Sequence, residues 1–130
     1  MTELEISELT ANELAILKVL WQNGALSARE VHDHLAALRD WSYSTTRTFL
    51  ERMVKKSLLV KKSSHGMNLY KPGISKAQGL APSVKHFAEQ VLELDLGKVV
   101  NLFTGSQALS SGEIEELQKI LALDEEDGPA

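Results

Sequence analysis

Apolar residues recur at helical spacing in three successive segments of the N-terminal half, and a capping residue precedes each segment. In the first two segments a hydroxyl three residues before a glutamate forms a capping box, which satisfies free backbone N–H groups of the first helical turn. In the third, a serine alone can accept such bonds. The pattern therefore predicts three short helices, which begin at Thr10, Ser27 and Ser42 and end at Gly24, at about Arg39 and at Lys56.

After these helices the pattern changes to two short apolar runs separated by turn residues. The turn lies near His65 and Gly66, and Pro72 and Gly73 follow the second run, which predicts a two-stranded hairpin. Three short helices followed by a hairpin are the layout of a winged helix-turn-helix domain. We therefore expect a mainly α fold with a small β wing, in which residues 1–73 form the winged helix-turn-helix domain.

The second half of the chain is predicted to be a separate helical module. Gly79 and Pro82 both oppose an uninterrupted helix, so residues 74–82 are predicted to be a linker. Apolar residues then return at helical spacing, and Ser110 with Glu113 forms another capping box. Helices of this length cannot enclose a core of their own, so we expect residues 83–123 to bury their apolar faces against a second copy of the chain.

The residues predicted to form this dimerisation interface are Phe87, Val91, Val100, Phe103, Ile114, Leu117 and Leu121. The end of the chain, residues 124–130, is acidic and contains a glycine and a proline, and we expect it to be disordered.

The third helix is predicted to carry two different faces. Its apolar stripe at i, i+3, i+4 and i+7 is expected to face the core and consists of Thr46, Phe49, Leu50 and Met53. The opposite face is rich in hydroxyls and cations, which can bond base edges and phosphate oxygens. The predicted base contacts are Ser44, Thr45, Arg47 and Thr48, and the predicted phosphate contacts are Arg52, Lys55 and, from the hairpin, Lys61. Glu51 is expected to pair with Arg47 or Lys55 along the helix, or to accept a bond from a cytosine amino group.

The distribution of charge favours a nucleic-acid partner at this helix. The whole chain has a net charge of −4 at pH 7, yet residues 41–73 contain seven Lys or Arg and one acid. A basic block between two acidic segments can meet phosphates locally, while the overall charge suppresses indiscriminate polyanion binding. The alternative is a winged-helix adaptor that binds proteins and not DNA, since the fold alone does not fix function. Such an adaptor has no need for a basic excess confined to the third helix and the hairpin.

Composition and motifs exclude several kinds of site. The chain has no cysteine, which excludes disulfides, thiolate metal sites and a cysteine nucleophile. It has no apolar run of about 18 residues and no apolar leader, so we expect a cytoplasmic protein without a membrane segment. His32, Asp33 and His34 are metal-ligand types, but adjacent helical residues point about 100° apart and do not close one site. Without a catalytic motif either, we expect no enzyme activity, no metal and no cofactor.

Five segments of the chain match a known family in order and spacing. They are LTANELAILKVLW at 9–21, SAREVHDHL at 27–35, WSYSTTRTFLERMVKKSLL at 41–59, YKP at 70–72 and LSSGEIEELQKIL at 109–121. Taken together, these segments resemble the penicillinase repressor family of winged-helix transcriptional repressors. The resemblance implies a homodimer that binds a palindromic operator in double-stranded DNA through its third helix and dimerises through C-terminal helices.

The resemblance also implies a route of induction. In antibiotic-responsive members of the family, repression is relieved by proteolysis between an Asn and a Phe in the dimerisation module. The matching bond in this chain is Leu102–Phe103, with Asn101 one position early. A regulatory protease acting near this bond is therefore an implied partner, while the inducing signal stays open between a β-lactam, another stress and a small ligand.

Overall fold

The computed structural model describes residues 8–92 and 109–126. It divides into two compact units, one formed by Thr10–Ser75 and a second that contains the described residues from Lys76 onward. We call them the winged-helix unit and the C-terminal unit. The described residues are mainly helical and contain one small antiparallel sheet, which confirms the predicted fold class.

The winged-helix unit has the predicted layout. Its elements in chain order are α1 (Ala11–Asn23), β1 (Leu26–Ser27), α2 (Ala28–Leu35), α3 (Tyr43–Lys55), β2 (Leu59–Ser64) and β3 (Met67–Pro72). Strand β3 lies between β1 and β2 and is antiparallel to both. The β2–β3 hairpin turns at His65 and Gly66, whose φ angles of 52° and 76° are those of a two-residue type I′ turn. The predicted hairpin and its tip are confirmed.

Local hydrogen bonds determine where the three helices begin. Thr10 Oγ1 accepts the backbone N–H of Glu13 at 3.1 Å, and Glu13 Oε1 accepts the backbone N–H of Thr10 at 3.0 Å. Ser27 and Glu30 form the same reciprocal pair at the start of α2. The Ser42 hydroxyl accepts the N–H of the third residue of α3. All three predicted starts are confirmed.

The end of α2 differs from the prediction. The backbone N–H groups of Leu38 and Arg39 both bond the carbonyl of Leu35, which closes the helix at Leu35 rather than near Arg39. The Arg39 side chain instead donates to Asn12 of α1 at 2.9 Å. The apolar stripe of α2 therefore ends one turn early, and the Leu38 side chain is 67% exposed.

The core of the winged-helix unit is aliphatic. Its largest fully buried side chains are Ile16, Leu17, Leu20, Val31, Leu35, Leu50 and Met53, together with the polar Thr46. Two polar contacts between residues distant in sequence add to this packing. Lys56 Nζ lies 2.6 Å from Glu13 Oε2, and Trp21 Nε1 donates to the carbonyl of Ile74 at 3.1 Å.

The chain passes from α3 into the hairpin through a tight junction. The backbone N–H of Ser57 donates to the carbonyl of Val54 at 3.0 Å, and the backbone N–H of Leu58 donates to the carbonyl of Met53 at 2.9 Å. These two bonds are the pattern of a Schellman motif. Ser57 is accordingly left-handed, with a φ of 66°. Where the hairpin returns, a Cβ at Gly73 would lie 2.9 Å from the Ser57 carbonyl oxygen, so the close approach requires glycine.

The C-terminal unit begins with a helix that starts earlier than the helical segment predicted from residue 83. Helix α4 spans Lys76–His86 and continues as a π-helix over Phe87–Leu92. The expected interruption at Gly79 and Pro82 is wrong, because both residues lie inside α4. The physical reason is tertiary packing, since the small buried residues of α4 pack against a helix from the end of the chain, which offsets the backbone bond that the proline cannot make.

That last helix, α5, spans Ser111–Glu126 and starts at the predicted capping box between Ser110 and Glu113. It is longer than predicted, because residues 124–126 were expected to be disordered and are helical. Residues 127–130 lie outside the described residues. Among the helices of the described part, none is long and apolar enough to cross a membrane.

The α4–α5 pair encloses a small core within one protomer, contrary to expectation. Its buried members are Ala77, Ala81, Val84, Ala88, Leu109, Leu117 and Leu121. Leu117 and Leu121 are 0% and 2% exposed, so the assignment of these two residues to a dimer interface is corrected. The alanines of α4 allow the two helices to approach closely enough to bury Leu117 and Leu121. Ile114 is partly buried at the edge of this core and Phe87 is 45% exposed. Val100 and Phe103 lie outside the described residues, as does the side chain of Val91.

Candidate nucleic-acid interface

The outward face of α3 lines a shallow cleft. Opposite this face, Thr46, Leu50 and Met53 are completely buried, as their 100° spacing predicts. The cleft has a volume of about 520 Å³ and is lined by Tyr43, Ser44, Arg47, Thr48, Glu51, Arg52 and Lys55. Five of the seven predicted DNA contacts therefore lie together on one surface, which we call the recognition face.

The two remaining predicted residues lie elsewhere. Thr45 is half-buried, and its hydroxyl lies 3.1 Å from the hydroxyl of the capping Ser42. Lys61 is in β2, where its Nζ lies 3.0 Å from both carboxylate oxygens of Glu51. On the recognition face itself, the Thr48 hydroxyl donates to the carbonyl of Ser44 at 3.0 Å and keeps its lone pairs for an incoming donor.

Glu51 is held by the hairpin. The Tyr70 hydroxyl donates to Glu51 Oε2 at 2.5 Å, and Lys61 adds the ion pair. These two bonds, first that from Tyr70 and then that from Lys61, lower the pKa of Glu51. Burial and the bond to Glu51 raise the pKa of Tyr70 to about 12, so the phenol keeps its proton at neutral pH. The partners expected along the helix, Arg47 and Lys55, are thus corrected to partners from the hairpin.

A second cleft adjoins the first at the start of α2. It has a volume of about 560 Å³ and lies between the first turn of α2, the first turns of α3 and strand β3. The Arg29 guanidinium stacks over the Tyr43 ring, 4.0 Å from its centroid, and His32 meets the same ring edge-on. The sequence argument missed Arg29 and Tyr43, because only the fold brings α2 and α3 together here. The capping box that places Arg29 in the first turn of α2 was the available signal.

The His32-Asp33-His34 segment does not gather ligands for a metal. His32 Nδ1 lies 2.8 Å from the buried Thr46 hydroxyl, which occupies that ring nitrogen in a contact between α2 and α3. In residues 8–92 and 109–126 no three His, Asp or Glu side chains are grouped so that they could hold a metal ion.

A winged-helix unit with a basic, hydroxyl-rich third helix is what the sequence resemblance implied, and comparison with known proteins decides the family. A family model described as penicillinase repressor matches residues 9–123. The chain belongs to the penicillinase repressor family. This membership confirms the predicted function at the level of a DNA-binding transcriptional repressor and confirms that the protein is not an enzyme.

Curated relatives match along most of their length. The penicillinase repressor of Bacillus licheniformis is 28% identical over 117 residues, which cover 90% of this chain and 91% of the relative. The methicillin resistance regulatory protein MecI of Mammaliicoccus sciuri is 27% identical over 114 residues, which cover 88% of this chain and 93% of the relative.

A solved structure is similar to part of this chain. The monomeric form of BlaI from Bacillus licheniformis, solved in complex with the blaP half-operator, is 29% identical and superposes with a TM-score of 0.51. The match covers 56% of this chain and 89% of that one.

Proposed function

We propose that this penicillinase repressor family member is a homodimer that represses transcription by inserting α3 into the major groove of a palindromic operator. The observation that carries the proposal is the recognition face, where Ser44, Arg47 and Thr48 share one cleft with Arg52 and Lys55. Hydroxyls and a guanidinium can bond base edges, while cations further along the helix can meet phosphates. A solved relative, the monomeric form of BlaI, is bound to a half-operator, which supports operator DNA as the partner of this chain.

The spacing along α3 suggests how the contacts divide. Arg47 and Lys55 are eight residues apart, which at 1.5 Å per residue is about 12 Å along the helix axis. This length is close to the width of the major groove, about 12 Å. We therefore assign Ser44, Arg47 and Thr48 to the base edges and Arg52 and Lys55 to the phosphates. Thr45 is left out because it is half-buried and its hydroxyl bonds that of Ser42. Lys61 is left out of this set because its ammonium is already paired with Glu51.

The proposed dimer places two recognition faces on two half-sites. Two tethered half-site contacts act as one bivalent event, which explains how modest contacts per protomer could give tight operator binding. Of the residues predicted for the dimer interface, exposed Phe87 and partly buried Ile114 are the described side chains that remain available for the partner subunit. We keep Leu102–Phe103 as the bond at which a regulatory protease would relieve repression, on the sequence resemblance alone.

The test uses two duplexes of equal length, one enriched from a random library by the wild-type protein and one of random sequence. Arg47→Ala is expected to weaken binding to the enriched duplex by about 1 to 3 kcal/mol and to change binding to the random duplex little. Lys55→Ala should weaken both equally and lower the salt slope by about one. Lys18→Ala, an exposed lysine of α1 outside the cleft, is the matched control.

Equal losses on both duplexes for Arg47→Ala and Lys55→Ala would reject the division of roles. Failure to enrich any sequence, together with unchanged binding of both variants, would reject the recognition face itself and favour the adaptor.

A further inference from the structure

We propose that Glu51 is a positioning residue that holds the β2–β3 hairpin against α3 through Tyr70 and Lys61, and that this contact sharpens the discrimination between operator and random DNA. The inference rests on the proposed DNA-binding role of the recognition face. It assigns a role to Glu51, which is the one acidic residue among residues 41–73, where the other charged residues are seven Lys or Arg.

The register of the hairpin brings the two partners to the same carboxylate. Lys61 and Tyr70 are directly paired across β2 and β3, so their side chains leave the same face of the sheet. Leu59 leaves that face too and is 2% exposed, which shows that this face is turned toward the core of the unit. The Tyr70 hydroxyl and the Lys61 ammonium both end on Glu51, at 2.5 Å and 3.0 Å.

The two bonds differ in strength. The Lys61–Glu51 ion pair is exposed at both ends, with side chains 36% and 41% accessible, and pairs of this kind contribute little in water. Tyr70 is 3% exposed, and its hydroxyl would lose its partner if Glu51 were removed. The tyrosine bond is therefore the stronger of the two bonds to Glu51, and the ion pair is secondary.

Charge alone does not explain a carboxylate at this position. A negative group in a cleft that meets phosphates weakens binding to every DNA sequence, and it also occupies a lysine that could have met a phosphate. A fixed distance between α3 and the hairpin is a benefit of a different kind, because the contacts of both elements then form together only on DNA of the right shape and register. A hairpin without this contact to α3 would still bind the phosphates of DNA of any sequence.

The experiment compares Tyr70→Phe, Glu51→Gln and Lys61→Gln in the full-length protein on the enriched and the random duplex described above. Tyr70→Phe keeps the buried ring and changes no charge, so it removes only the hydroxyl bond. We expect about threefold to tenfold weaker binding to the enriched duplex and a much smaller change on the random duplex. Glu51→Gln keeps an amide oxygen that can accept the bond from Tyr70, so its loss should be smaller than that of Tyr70→Phe. Glu51→Gln combined with Lys61→Gln should be no worse than the more affected single variant, because both remove the same ion pair.

Lys62→Gln is the matched control for Lys61→Gln. Lys62 is the next residue of β2, is exposed and leaves the opposite face of the sheet, so the charge change is identical while the contact to Glu51 is kept. Its effect should add to that of Glu51→Gln, whereas the effect of Lys61→Gln should not. Hydrogen exchange in the free protein supplies a readout without DNA, in which Tyr70→Phe should speed exchange in residues 59–72 and leave α1 unchanged.

Three outcomes would overturn the inference. Tighter binding of Glu51→Gln to both duplexes, with Tyr70→Phe unaffected, would make Glu51 a repulsive charge and nothing more. A loss in Glu51→Gln that is recovered by changing one base pair would make it a base reader. Unchanged exchange in the hairpin of Tyr70→Phe would show that the contact does not hold the wing. By contrast, if Arg47→Ala and Lys55→Ala bound DNA like the wild type, the DNA-binding role of the recognition face would be rejected. Hydrogen exchange in Tyr70→Phe would still decide whether Glu51 holds the hairpin.

Discussion

The winged-helix unit and the C-terminal unit differ in the size of the apolar side chains that fill their cores. In the first, large aliphatic side chains are supplemented by polar contacts between distant residues, as between Lys56 and Glu13 or Tyr70 and Glu51. In the second, alanines of α4 let the leucines of α5 approach closely, and Phe87 stays largely exposed. Directional bonds fix orientation as well as proximity, which suits the unit whose side chains must match a DNA surface. Close packing of small side chains leaves the Phe87 ring on the surface, where we propose that it contacts the partner subunit.

The largest expected effect separates the two cores. Leu50→Ala and Leu117→Ala each empty a completely buried position, and each should cost its own unit about 2 to 5 kcal/mol. Leu50→Ala should abolish DNA binding, because Leu50 anchors α3. Leu117→Ala should leave hydrogen exchange within residues 10–75 unchanged. Equal acceleration of exchange in both units by Leu117→Ala would contradict the separation.

The next largest effect concerns the ion pair that joins α1 to the end of α3. Burial acts to raise the pKa of Glu13, but the bond from Lys56 and the backbone bond of Thr10 outweigh it, so the pKa lies below its ordinary value of 4.5. A lowered folded-state pKa stabilises the protein above pH 4.5, and this contribution is lost as the pH falls through the folded value. Lys56→Gln should cost about 1 to 2 kcal/mol at pH 7.

Urea unfolding between pH 7 and pH 3 measures this contribution. The midpoint of the wild-type protein should fall more steeply below about pH 4.5 than that of Lys56→Gln, since the variant has already lost the charged partner. Lys18→Gln carries the same charge change at an exposed site of α1 and should follow the wild-type curve. Parallel curves for wild type and Lys56→Gln would show that the pair does not stabilise the ionised carboxylate.

A smaller effect of opposite sign is expected at the junction after α3. Ser57 is left-handed and exposed, a conformation in which glycine avoids the strain of a Cβ. Ser57→Gly should therefore stabilise the winged-helix unit by about 0.5 to 1 kcal/mol. Thermal unfolding followed by circular dichroism would detect the gain, and a lower midpoint would mean that the serine side chain itself stabilises the junction.

The smallest effect on the stability of the protomer is expected for Phe87→Ser. The same variant tests whether the C-terminal unit forms the proposed dimer. A side chain that is 45% exposed contributes little to the fold of one chain, so the unfolding midpoint measured for the monomer should barely move. The proposed dimer should dissociate at higher protein concentration, as measured by sedimentation over a dilution series. Leu38→Ser, which changes an apolar side chain 67% exposed in the winged-helix unit, should sediment like the wild type. Identical sedimentation of Phe87→Ser would remove Phe87 from the interface.

The features predicted from sequence are those set by neighbours within one helical turn. The capping boxes at Thr10, Ser27 and Ser110 each depend on a residue three positions away, and the two faces of α3 follow from helical period alone. The features that were missed depend on distant residues. The bond between Glu51 and Tyr70 joins positions 19 residues apart and exists only because of strand register.

The helix through Pro82 was missed for a similar reason. Local propensity opposes it, while packing against α5, which lies some thirty residues further along the chain, supports it. The same packing buries Leu117, which periodicity could assign to an apolar face but not to a particular partner.

The stacking of Trp41 on Phe49 of α3, with ring centroids 4.8 Å apart, gives this protein a built-in optical probe. The sequence has two tryptophans, and the other, Trp21, donates its indole N–H to Ile74 within the same unit. The chain has no tryptophan or tyrosine after Tyr70. Intrinsic fluorescence therefore monitors the winged-helix unit alone, and part of that signal comes from a ring that rests on the DNA-facing helix. Far-ultraviolet circular dichroism monitors the helices of both units, so the two spectroscopic signals can follow the two units separately in the unlabelled protein.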